Sequence, residues 1–165
     1  MKRLFSIVLV MVLSSIMFFT VVYAGEKEVV KPTKGTWSGV TSFIVPNTCP
    51  AGSQKIQSMG KGVMTLTGAS EWVGAPSCLD LSTGIASGTA VIIAANGDAI
   101  YLTTEIHFIF DLTGMAGTWL QDTEAYGGTG RFEGVGGMGS SSGEFHFTSP
   151  TEAVWAGTNE GELKF

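Results

Sequence analysis

From Ala99 to Phe110 the chain alternates without a break. Ile100, Leu102, Thr104, Ile106, Phe108 and Phe110 fall on one side; Tyr101, Thr103, Glu105, His107 and Ile109 fall on the other. Successive side chains of an extended strand point to opposite faces, so this stretch reads as a strand with one buried face and one polar face. It follows directly on Asn96-Gly97-Asp98. Asn-Gly between two apolar alternating segments is the strongest short hairpin signal, because both residues tolerate the positive φ that a two-residue turn demands.

The chain from Gly35 onward keeps this character. Its segments are short, rich in β-branched and aromatic residues, and punctuated by Gly, Pro or Asn-Gly, and no window of helical length there shows an apolar period of 3.6. Eight strands are expected, at Thr36–Val45, Gly60–Thr67, Ile85–Ala94, Ala99–Phe110, Thr118–Tyr126, Gly137–Phe147, Glu152–Ala156 and Gly161–Phe165. Long connections fall around Cys49 to Met59 and from Gly68 to Thr83. Many short strands joined by tight turns make a sandwich or a barrel, and closure removes sheet edges, so the expected fold is all-β, a single eight-stranded antiparallel β-barrel. All 23 glycines lie from Gly25 onward, at more than twice the usual share of about 7%. Without a collagen-like period, that abundance suits tight turns and bends in a curved sheet.

Lys2 and Arg3 precede an uncharged apolar stretch from Leu4 to Tyr23, and Val22-Tyr23-Ala24 is a small-x-small cleavage site. Residues 1–24 therefore read as a secretory signal peptide; an uncleaved anchor is the alternative that the apolar length allows. Residues 25–34, charged and containing Pro32, read as a flexible lead-in to the barrel domain at 35–165. The expected location is secreted or periplasmic. In such an oxidising compartment the two cysteines, Cys49 and Cys78, are expected to form a disulfide tying the two long connections together.

Of nine Lys or Arg, two lie in the leader, whereas all fourteen Asp or Glu lie beyond it. An acidic surface repels phosphates, which argues against nucleic acid and anionic lipid as partners. Nothing after the leader is long and apolar enough to insert stably in a membrane as a helix.

Two segments carry a family resemblance. Ala95-Asn96-Gly97-Asp98-Ala99-Ile100-Tyr101 is similar to the hairpin that opens a central strand in the allene oxide cyclase barrel-like superfamily, whose barrel the dirigent proteins share. About thirty residues on, Gly128-Thr129-Gly130-Arg131-Phe132-Glu133-Gly134-Val135-Gly136-Gly137 resembles that group's GTGRF-x-G-x-x-G turn between two late strands. The resemblance implies an eight-stranded barrel with an apolar cavity, often oligomeric in the plant enzymes. It carries no activity across, since a fold hosts many functions. Read physically, Phe132 is placed to plug a barrel end and Arg131 to reach solvent or a nearby carboxylate. Phosphate binding by the glycine run would need a helix to follow, and a strand follows. A shorter resemblance, to lipocalins, rests on Gly35-Thr36-Trp37 alone. The Arg that packs on that Trp in lipocalins is missing, the last strand offering only Lys164, so Trp37 reads as a core residue closing one barrel end.

Candidates for chemistry are few. The two histidines each follow a glutamate by two, as Glu105/His107 and Glu144/His146, so each pair shares a strand face. If both pairs pointed inward they would form a polar group in the cavity or a two-His, two-carboxylate metal site; both lie opposite the more apolar face, which favours the exposed position and no metal. The run Gly139-Ser140-Ser141-Ser142-Gly143 reads as a polar flexible turn, not a nucleophile elbow, which needs a strand-to-helix bend. Asp122 and Glu124 share a face in the manner of surface carboxylates. No motif for a cofactor is present. Two functional readings follow: a non-enzymatic barrel binding a small apolar ligand or a protein partner, with a homo-oligomer as one form of the latter; or an isomerase- or cyclase-like enzyme confining an apolar substrate, with Glu105, His107, Glu144 and His146 as its candidate residues.

Overall fold

The structure, a computed structural model, describes residues 28–165. The leader expected at 1–24 lies outside the described residues. Nine strands follow in order: β1 (Val30–Phe43), β2 (Ser53–Met64), β3 (Gly68–Gly74), β4 (Ser77–Asp80), β5 (Ile85–Ala94), β6 (Ala99–Phe110), β7 (Ala116–Gly128), β8 (Gly136–Ser149) and β9 (Glu152–Lys164), with one 3-10 turn at Gly130–Phe132. All pair antiparallel, and β1 pairs with both β9 and β2, closing the sheet on itself. β3 and β4 both lie between β2 and β5, so they fill one position and the barrel has eight. The break between them falls at Ala75-Pro76, where proline has no N–H to give the ladder.

The eight barrel positions agree with the expectation while several boundaries do not: residues 53–59, expected within a long connection, already belong to β2. The segment 68–83, expected as a long loop, supplies β3 and β4. The expected strands at Glu152–Ala156 and Gly161–Phe165 are one strand, β9, that runs through Gly157 and Gly161. Residues 30–34, expected as a flexible lead-in, extend β1 and pair with β9, Pro32 lying opposite Glu162. The serine run 139–143, expected as a turn, sits mid-strand in β8 and pairs with both β7 and β9. Its alternation sends Ser140 and Ser142 outward.

The alternation of β6 holds as expected: Ile100 and Leu102 are buried, whereas Thr103 and Glu105 are exposed. The buried side chains of all eight positions meet inside. The largest cluster gathers Trp37, Met64, Trp72, Ile92, Ile100, Leu102, Phe132 and Leu163 in one half of the barrel. In the other half, Phe108 and Phe145 meet edge to face at 5.5 Å and Phe43 and Phe147 tilt together at 5.5 Å.

Both family-like segments meet at the first of these ends. Asp98 of the Asn-Gly hairpin forms an ion pair with Arg131, Nε to Oδ2 3.6 Å, while Thr129 Oγ1 accepts the Ala99 amide at 2.9 Å. The turn is thereby strapped to the hairpin, and Phe132 is driven into the barrel mouth, where only 1% of it is exposed. Gly130 takes φ 58°, and a Cβ there would collide with the Asp98 carboxylate, so the close approach of the two segments requires glycine. At the far end the turns are held by short acidic caps. Thr113 Oγ1 donates to Asp111 at 2.7 Å and Ser82 Oγ to Asp80 at 2.7 Å, and these bonds hold both carboxyls below the usual range.

The disulfide forms between Cys49 and Cys78, with Cα atoms 5.7 Å apart. It ties the β1–β2 loop to a strand, not to a second loop, because Cys78 belongs to β4. Asn47 orders the same loop, its Oδ1 accepting the amides of Cys49 and Lys55, each at 3.1 Å.

Candidate functional site

The barrel interior is where the chain concentrates its unusual residues. All four tryptophans, Trp37, Trp72, Trp119 and Trp155, point inward and line a single cavity of about 60 Å³. Trp72, Trp119 and Trp155, with Gln121, also line a second cavity of about 30 Å³ toward the phenylalanine-rich end. A belt of three indoles and one amide therefore divides the interior.

Strand register explains the belt. Trp119 and Gln121 are two apart on β7 and share its inner face, and Trp119 lies one pairing step from Gly143 and two from Gly157 of β9. The Trp119 ring rests on Gly157, where a Cβ would stand 2.6 Å from it. Trp155 of β9 likewise lies over Gly39 of the adjacent β1 and Gly60 of β2 beyond it. Bulky rings thus occupy the space that side chains at the inward glycines would have filled, and Trp119 and Trp155 meet edge on at 5.8 Å. Replacing Gly60 with alanine is expected to cost about 1–3 kcal/mol by overpacking, because a Cβ would stand 2.7 Å from Trp155 Cη2. Urea unfolding measures the loss, and a change of the tryptophan emission maximum in the folded variant would report displacement of the belt.

The interior is polar as well as aromatic. Trp37 Nε1 donates to Asn159 Oδ1 at 2.9 Å, Thr41 and Ser58 bond each other at 2.7 Å, and Thr123 Oγ1 donates to the Gly139 carbonyl at 3.1 Å. Three buried donors, Trp119 Nε1, Gln121 Nε2 and Trp155 Nε1, have no acceptor among the described residues. Gln121 and Trp119 are 8% and 6% exposed, so neither is reached by bulk solvent.

The residues singled out by sequence lie elsewhere. Glu105 and His107 are hydrogen-bonded to each other at 3.0 Å on the outer face, with 54% and 43% of their side chains exposed. Glu144 and His146 are exposed on the outer face of β8, and β7 stands between the two pairs. The four do not converge, and none lines the interior cavities. Asp122 and Glu124 also face outward on β7. Among the described residues no group of three or more His, Cys, Asp or Glu is placed to hold a metal ion. Gln121 and Asn159, two amides that do face inward, are not among the residues singled out by sequence. The signal for Gln121 was present in the chain: an amide between Trp119 and Thr123 on the inner face of a strand whose outer face carries Asp122 and Glu124.

No protein-family model matches the chain, and no curated protein matches it. Among solved structures it is similar to a pterocarpan synthase dirigent protein, with 10% identity and a TM-score of 0.54, over 86% of this chain and 88% of that one. The fold is a dirigent-like barrel. At this identity the likeness concerns the path of the backbone alone, so what the dirigent-like barrel of this chain does must be argued from its own interior.

Proposed function

We propose that this protein is an exported, non-catalytic binding barrel that takes a small, largely apolar ligand into the tryptophan-lined interior. The observation that carries this reading is the belt: indole faces on several sides of a cavity, with a few polar atoms among them, is the composition of a ligand site. Its volume limits the ligand to a compact molecule of a few heavy atoms, since a water needs about 10–15 Å³ of the same measure. The enzyme reading loses support because its four candidate residues are on the outer surface. Export is supported by the Cys49–Cys78 disulfide, which persists in oxidising compartments, and by the leader-like composition of residues 1–24. No helix of the described residues is long and apolar enough to cross a membrane.

Because every tryptophan of the chain lines the larger cavity, fluorescence excited in the tryptophan band alone reports on the interior. Titration with methylenecyclopentane, a compact apolar probe, is expected to change the emission saturably. A linear, non-saturating response identical to that of free tryptophan would refute an accessible interior site.

A second reading is an interaction module. It is favoured by the exposed side chains at the phenylalanine-rich end, where Leu112 is fully exposed, Val45 and Met115 largely so, and Phe110 partly so. Sedimentation of the purified protein at rising concentration tests the case in which the partner is a second copy.

A further inference from the structure

The belt holds three buried hydrogen-bond donors that no described acceptor reaches. Trp119 Nε1 and Trp155 Nε1 are buried with no acceptor among the described residues, and an indole nitrogen can only donate. Gln121 Nε2 adds a third such donor. No hydrogen bond joins these donors to the oxygens nearby: Asn159 Oδ1 accepts from Trp37, and the Thr41 and Ser58 hydroxyls bond each other. Asn159 Nδ2 itself turns to the Met64 thioether at 3.4 Å, a weak acceptor. A buried donor without a partner carries a desolvation penalty, so structures seldom keep several in one place unless an acceptor from outside the chain, water or ligand, comes to them.

We infer that the ligand of this cavity is a small neutral carbonyl compound, whose oxygen accepts hydrogen bonds from the Trp119 and Trp155 indoles while its apolar body lies against the rings. This rests on the interior binding reading above and specifies its chemistry. The oxygen requirement follows from the donor-only indoles. A carbonyl oxygen has two lone pairs and so takes two of the three donors. Neutrality follows from the charges around the site. No Lys or Arg lines either cavity, whereas Glu160 and Glu162 stand at the wall of the larger one. A carboxylate or phosphate would lose its hydration there with no cation to replace it. A ketone, aldehyde, ester or lactone loses far less.

The test uses two probes of the same shape, cyclopentanone and methylenecyclopentane, which differ by an oxygen in place of a methylene. In a ¹⁵N-labelled sample the four tryptophans give four indole N–H resonances, assigned with single Trp→Phe variants. Saturation with cyclopentanone is expected to move the Trp119 and Trp155 indole protons downfield, and to leave Trp37, already bonded to Asn159, in place. Methylenecyclopentane is expected to bind without that downfield shift. Trp155→Phe, which keeps a ring but removes the N–H, is expected to weaken cyclopentanone about threefold to tenfold, the worth of one such bond, and to change methylenecyclopentane less than twofold. The wild-type spectra decide the matter even where a variant fails to fold. If both probes bind and neither shifts the two indoles downfield, the carbonyl inference is wrong and the apolar site stands. If cyclopentanecarboxylate binds more tightly than cyclopentanone, neutrality is wrong. If no probe binds, the interior binding reading fails with it.

Discussion

Replacing Phe132 with alanine is expected to remove about 3–5 kcal/mol of stability, the range for deleting a large aromatic side chain from a packed site. Phe132 is among the most deeply buried large side chains of the barrel, and three constraints put it there: the Arg131–Asp98 ion pair, the Thr129–Ala99 hydrogen bonds in both directions, and the glycine at position 130. These hold the turn against the β5–β6 hairpin, so the backbone cannot collapse to refill the space that alanine would leave. Phe165, whose ring lies 6.3 Å away, is 39% exposed and is expected to cost far less when truncated. Urea unfolding followed by circular dichroism measures both. A midpoint that falls strongly for Phe132→Ala with an unchanged slope fits a plug lost from an otherwise intact fold. Equal, small effects of the two substitutions would show that the barrel mouth is not closed by this residue.

Removing the disulfide is expected to cost about 3–4 kcal/mol by the loop-closure model, the cross-link spanning 29 residues. The stabilisation acts mainly on the unfolded chain, because the folded loop has other ties. Asn47 bonds three backbone groups between Cys49 and Lys55, and β4 pairs with β2 and β5 whether or not the cross-link exists. The Cys49→Ser/Cys78→Ser double variant should therefore keep the far-ultraviolet spectrum of the native barrel and unfold at lower denaturant. A loss below about 1 kcal/mol would mean that the unfolded chain is already compact in this region.

The central strand and its hairpin were legible because period-two alternation and Asn-Gly are local signals that burial only reinforces. The following turn was legible through its resemblance to a family motif, and its Phe132 and Arg131 occupy the positions read for them. Other segments hid behind ambiguous glycines. Gly157-Thr158-Asn159-Glu160-Gly161 has the composition of a turn. In the barrel these glycines face inward in mid-strand, Gly157 beneath the Trp119 ring, and nothing local distinguishes a glycine that turns the chain from one that seats a ring. Pro32 concealed the start of β1 in the same manner, by a residue type that sheets accept only where its missing N–H is not needed. Pro76 concealed the strand position that β3 and β4 share.

Sequence alone pointed to the fold class and the cysteine pair and favoured the outward direction of Glu105, His107, Glu144 and His146, because each depends on alternation or count. Tertiary structure alone decided the site. Trp119 and Gln121 stand on β7 and Trp155 on β9, and only closure of the sheet brings their side chains around one space. Whether a buried N–H finds an acceptor depends on which strands curve together and which rings displace which side chains. That is a property of the closed barrel, which no segment of the chain possesses by itself.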